Sequence, residues 1–148
     1  MNKPKHQARA AARLAAVQAL YQHDMEGTEL APLLDEFHRH RLGAEIEDIQ
    51  FAAADRVHFD DVVRGTIARI GEIDATLGSK LADGWKLERL DKTMLQLLRA
   101  GTYELMARSD ITTGTAISEY VDVAHAFFEE RDAKFVNGVL DSVAKSVR

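Results

Sequence analysis

The chain has 148 residues, no cysteine and a formal net charge of −5, with 46% of its residues apolar and 29% charged. That length and composition fit one folded domain with a sizeable core, and exclude a disordered chain, a disulfide scaffold, a thiolate nucleophile and cysteine-ligated zinc. No apolar run nears the roughly 18 residues of a membrane span, and the basic N-terminus lacks the unbroken apolar stretch of a secretory signal, so a cytoplasmic protein is expected.

The charge is unevenly spread. The stretch Lys3 to Tyr21, KPKHQARAAARLAAVQALY, carries Lys3, Lys5, Arg9 and Arg13 with no acidic residue before Asp24. Without those four positive charges the remainder stands at −9. An acidic protein with one purely basic end presents that end either to an anion, nucleic acid being the commonest large one, or simply to solvent. Charge alone leaves both readings open. Leu14, Val17 and Tyr21 recur at i, i+3 and i+7 among alanines, which predicts a helix over about 5–23. Lys5, Arg9, Arg13, Val17 and Tyr21 fall on one i+4 row, read as a ridge that runs from cationic to aromatic.

Gly27 ends this element, and Thr28 is the expected N-cap of a helix through Leu33, Leu34 and Phe37 that stops near Gly43. Residues 44–54 mix acidic and apolar positions and read as a loop or a short helix. Phe59, Val62, Val63, Ile67 and Ile70 mark a helix to about Gly71, and Ile73, Leu77 and Leu81 another. Asp83-Gly84 signals a turn, followed by the only tryptophan, Trp85. Met94, Leu95, Leu97, Leu98, Leu105 and Met106 cover more than one helical face, which predicts a buried central helix.

Ser109-Asp110 breaks that helix, and Thr113 or a neighbour caps the next, which carries Ile117, Val121, Ala124 and Phe128. After the charged break Glu129–Asp132, a last helix shows Val136, Val139, Leu140, Val143 and Val147. Asn137-Gly138 is a hairpin signal, yet it sits inside this helical period, where glycine costs about 1 kcal/mol relative to alanine. Close packing of the helix against a neighbour is the expected reason for the glycine, and direct ligand contact the other. No segment alternates cleanly with period 2 and no internal repeat is present. The expected fold class is all-α, with about seven helices.

Catalytic patterns are missing. Thr112-Thr113-Gly114-Thr115 lacks the lysine of a phosphate loop, and His38 and His40, two apart, cannot share a helix face. His125, beside Phe127 and Phe128, reads as a core-edge histidine, and the pairs Asp60-Asp61 and Glu129-Glu130 diverge on a helix as solvated charge. The expectation is no enzyme, no cofactor and no metal site. Single-stranded RNA, by contrast, is held by cations along its phosphates and by aromatic faces under its bases. Lys5, Arg9, Arg13 and Tyr21 supply both types, and Phe135, between Lys134 and Val136, adds a second ring. Core packing is the competing reading for both aromatics.

Three motifs, Ala-Val-Gln-Ala-Leu-Tyr (16–21), Leu-Leu-Arg-Ala-Gly-Thr-Tyr-Glu-Leu (97–105) and Lys-Phe-Val-Asn-Gly-Val-Leu-Asp (134–141), together resemble the NusB family of bacterial transcription antitermination factors. The resemblance covers nearly the whole chain. It implies a single domain, 1–148, of two small helical bundles packed together, an N-terminal subdomain of about 1–82 and a C-terminal one of about 83–148. It also implies a non-catalytic role: binding of boxA RNA with NusE, the small-subunit ribosomal protein, and so, indirectly, help to RNA polymerase in reading through terminators in ribosomal RNA operons. Carried over by position, Lys3, Lys5, Arg9, Arg13 and Tyr21 match the family's N-terminal RNA surface, and Phe135 and Asn137 its C-terminal part. The NusE side falls around the 91–106 helix and the turn Glu129–Asp132.

Two departures from the family pattern bear on that partner face. Ser118-Glu119-Tyr120 stands where Asn-Glu-Ala is common, and Phe128–Asp132 stands where glycine and serine are usual. The rival roles are a helical adaptor in ribosomal RNA maturation, whose basic helix is merely solvated, and the RNA-recognition domain of a ribosomal RNA methyltransferase. The latter is disfavoured because the chain has no room for a catalytic fold. With four phosphates met, single-strand binding is expected to fall with salt at a log–log slope of about −3.

Overall fold

A computed structural model describes residues 3–42, 55–82 and 84–148, with side chains from His6 onward. The described residues form seven α-helices: α1 Lys3–Glu26, α2 Leu30–His40, α3 Arg56–Ala68, α4 Ile70–Gly78, α5 Lys92–Ala107, α6 Thr113–Phe127 and α7 Glu130–Val147, with a 3-10 turn at Leu87–Arg89. No strand occurs among the described residues, so the fold class is all-α, as expected. The chain divides into two compact units, Met1–Arg64 and Gly65–Arg148. The division falls inside α3, whereas the sequence places its subdomain break at the turn near residue 83.

In the first unit, α1 ends where Gly27 takes a φ of 71°, a left-handed conformation that suits glycine, and returns its N–H to the His23 carbonyl at 3.0 Å. Thr28 does not cap α2. The N-cap is Glu29, which makes no side-chain cap bond. Thr28 ties back to α1 instead, its carbonyl 2.7 Å from His23 Nδ1. The expected helix end at Gly43 and the stretch 44–54 lie outside the described residues, and α2 closes at His40.

Apolar residues of α2 and α3 face inward. Leu33, Leu34, Phe37, Phe59, Val62 and Val63 are buried, with the Phe37 and Phe59 rings stacked at 5.5 Å. Asp55 starts α3: its carboxylate accepts the His58 backbone N–H at 2.9 Å, and its own N–H donates to the Ala8 carbonyl of α1 at 3.0 Å.

In the second unit the break between α3 and α4 comes at Arg69, two residues ahead of the expected Gly71, which lies inside α4. The central element is α5. Every residue from Met94 to Leu105 except Arg99 is buried, which agrees with its apolar residues spreading around the helix. Asp91 caps it by accepting the Thr93 and Met94 N–H groups at 2.8 and 3.1 Å. Arg99 leaves the helix as a bidentate pair with Asp74 of α4, both bonds 2.8 Å.

α5, α6 and α7 pack on one another. Thr112 caps α6 by accepting the Thr115 N–H at 3.2 Å. The buried Tyr120 hydroxyl donates to the carboxylate of Glu104, which gives that interior charge a partner. The charged break before the last helix is shorter than expected: Glu129 and Asp132 form a reciprocal capping box, and α7 begins at Glu130. Arg148 fastens the far end of α7, its guanidinium donating to the carbonyls of Leu105, Ile111 and Arg108 at 2.7–2.9 Å. Among the described residues no helix is long and apolar enough to cross a membrane.

Candidate nucleic-acid interface

An α-helix turns about 100° per residue, so each i+4 step advances about 40° and four such steps about 160°. The row from Lys5 to Tyr21 therefore winds to the opposite side of α1, and its middle runs into the core. Val17 is fully buried and Arg13 is only 2% exposed. This corrects the expectation that Arg13 is a surface cation. A guanidinium taken out of water must be partnered, and Arg13 is not without a partner. It is among the largest fully buried side chains of the chain.

The exposed stripe of α1 is narrow. Tyr21, 40% exposed, shares it with Gln7, Gln18 and Met25, and with the half-buried Leu14 between them. Lys3 precedes Tyr21 by 18 residues, about five full turns, so the two positions are in register along the helix. Lys3 and Lys5 belong to the first turns of α1, with their side chains outside the described residues.

Arg9 is half-buried, its Nε 3.6 Å from the Asp55 carboxylate. Burial alone pushes the Asp55 pKa up. The His58 backbone hydrogen bond, the His58 charge and Arg9 outweigh it and hold the carboxyl below the usual aspartate range.

The C-terminal candidates stand on α7. Val136, Val139, Leu140 and Val143 point inward, while Arg131, Lys134, Phe135, Asn137 and Gly138 are exposed, Phe135 by 39%. Neither Tyr21 nor Phe135 is a core ring. Lys3, Lys5, Arg9, Arg13 and Tyr21 belong to the first compact unit, and Phe135 and Asn137 to the second.

Among the described residues Gly138 serves no close packing, because a Cβ built there meets nothing within 4 Å. Close approach occurs at other glycines of the second unit. A Cβ at Gly101 would lie 2.9 Å from Leu140 Cδ1, and one at Gly65 would collide with the Tyr103 ring.

His125 is also no core-edge residue. Its side chain is 44% exposed and its Nδ1 lies 3.8 Å from Glu130 Oε2. The 91–106 helix, expected to carry the protein partner, is almost wholly interior and offers little surface beyond its N-terminal Lys92. Sequence reasoning assigned no role to Trp85, which is 59% exposed in the segment before α5. Its signal was a tryptophan placed directly after Asp-Gly in the charge-rich run Leu81–Lys92. No cluster of three or more metal-capable groups occurs among the described residues.

The profile of the NusB family matches residues 10–145. The chain is 70% identical over 148 residues to the transcription antitermination protein NusB of Novosphingobium aromaticivorans, covering the whole of both chains. It is 45% identical to that of Caulobacter vibrioides, over all of this chain and 99% of the relative. Among solved structures it is similar to T. maritima NusB, with 30% identity, a TM-score of 0.75 and coverage of 93% of this chain and 90% of that one. It is also similar to a chain in the crystal structure of the antitermination factors NusB and NusE in complex with dsRNA. There the identity is 26%, the TM-score 0.78, and the coverage 94% and 97% of the respective chains.

Proposed function

The chain belongs to the NusB family, and from that premise we propose that it is a non-catalytic, cytoplasmic transcription antitermination factor that binds boxA-type single-stranded RNA together with NusE. The observation that carries the RNA-binding part is a partly exposed ring on each of two helices, Tyr21 on the basic α1 and Phe135 on α7, 40% and 39% exposed. Lys3, Lys5 and Arg9 neutralise phosphates, Tyr21 and Phe135 stack on or flank bases, and Asn137 offers a donor and an acceptor to a base edge. Arg13 acts from within, fixing α1.

With three α1 cations on phosphates, the salt slope is about −2, shallower than the sequence alone suggested. Each stacked base contributes on the order of 1–3 kcal/mol. These terms make a modest site, and a second protein that extends it is physically sensible. A relative of this fold occurs with NusE and RNA in one crystal structure. Titration of a boxA oligonucleotide at several salt concentrations tests the phosphate contacts, and an affinity indifferent to salt contradicts them. A pull-down with and without ribonuclease separates RNA binding from a purely protein-binding adaptor, whose captures would survive the nuclease.

A further inference from the structure

We infer that the Arg148 guanidinium is a clasp between α7 and the α5–α6 turn, and that residues 108–112 keep their conformation only while it is seated. This is a conformational device of the second compact unit. It stands independently of the RNA-binding reading above.

A guanidinium is a planar fork of N–H donors with no acceptor. At Arg148 all three of its nitrogens donate. Nε gives to the Leu105 carbonyl at 2.9 Å. One terminal nitrogen gives to the Ile111 carbonyl at 2.7 Å and the Thr113 hydroxyl at 3.2 Å. The other gives to the Arg108 carbonyl at 2.8 Å and, more weakly, to that of Glu104 at 3.4 Å. These acceptors come from three places: Glu104 and Leu105 from the last turn of α5, Arg108 and Ile111 from the turn, and Thr113 from the start of α6. They precede Arg148 by 35 to 44 residues, so the contact closes the three-helix unit on itself.

The last four carbonyls of an α-helix have no partner within the helix. In α5 the Arg108 N–H takes the Glu104 carbonyl at 2.9 Å, and Arg148 brings Leu105 a donor from outside. A cation there also suits the negative end of the α5 dipole. The turn has bonds of its own, Arg108 to Asp110 in a bidentate pair at 2.9 Å and the Ile111 N–H to the Arg108 carbonyl at 3.0 Å. Those bonds span two or three residues, whereas Arg148 ties the same turn to another helix. Its stem is already fixed, because the Arg148 N–H continues α7 by bonding the Ala144 carbonyl at 2.9 Å. Lysine is no substitute, since a single ammonium cannot reach acceptors spread over α5, the turn and α6 at once.

The test uses the full chain with Arg148→Ala and Arg148→Lys, read by thermal unfolding and by amide hydrogen exchange. Arg148→Ala lowers Tm by about 3–6 °C. The Arg108 and Ile111 amides then exchange about tenfold faster than the global loss of stability accounts for, and the Leu98 amide of mid-α5 by no more than that loss. Arg148→Lys recovers less than half of the lost Tm and leaves the turn amides fast. Turn amides protected in Arg148→Ala as in the wild type overturn the inference. So does an equal acceleration at Leu98 and Ile111, which would make Arg148 a general stabiliser of the unit. An Arg148→Lys protein that matches the wild type also overturns it, reducing the clasp to a charge at the end of α5.

Discussion

Arg13 is buried to within 2% of complete, while Arg9, one turn earlier, keeps 28% of its side chain exposed beside Asp55. The two arginines are equivalent in sequence and opposite in environment. Arg13→Ala leaves a cavity and strands the groups that Arg13 satisfies, so it should cost about 2–4 kcal/mol in urea unfolding. Arg9→Ala should cost less than about 1 kcal/mol, as a partly exposed pair does, and should weaken boxA binding. Equal stability losses for the two variants would contradict this division of roles.

Asp55 adds a pH signature. Its carboxyl lies below the usual range in the folded state, so its contribution is complete above about pH 4 and is lost as pH falls through the lowered value. The stability gap between wild type and Asp55→Ala should stay level from about pH 7 to 5 and close in stronger acid. A gap that widens in acid would contradict the assignment. The cationic residues were legible in the sequence, but which of them faced water was not. Facing depends on the 40° drift of an i+4 row over four steps, which spacing between neighbours does not reveal.

Among the helices, α5 and α7 follow their apolar residues closely, because long, strongly patterned segments leave little choice, whereas in α1 only Val17 of the period Leu14, Val17 and Tyr21 is buried. The boundaries were less legible. Thr28 and Gly71 each looked like a natural terminus, yet α2 is capped at Glu29 and α4 is entered at Arg69. Thr28 is taken up by hydrogen bonding back to α1, and a helix with open space around its glycine has no need to break there. The glycines behave as a series that composition cannot sort. Gly101→Ala must displace Leu140 and should destabilise α5 against α7 by about 1–3 kcal/mol. Thr112→Ala removes the cap of α6 and should cost about 1 kcal/mol. Thermal or denaturant unfolding checks both, and a neutral Gly101→Ala would show that the close approach to Leu140 relaxes freely.

Across the molecule, the fold class and family were readable because the motifs at 16–21, 97–105 and 134–141 fix helix identity as well as helix pattern. Their site was only half readable. Phe135 and Asn137 are exposed on α7, and so are Arg131, which the sequence reading left in the charged break Glu129–Asp132, and Lys134, which it named only as a neighbour of Phe135. On a chain of net charge −5, the candidate contacts on α1 and α7 are local exceptions, so nucleic-acid affinity should be modest and strongly dependent on conditions. The most direct measurement is the equilibrium affinity of the full chain for boxA RNA, with and without NusE, across a salt series. The account predicts weak binding by the chain alone, a log–log slope of about −2 or steeper, and tighter binding when NusE is present. An affinity that responds to neither salt nor NusE would contradict it.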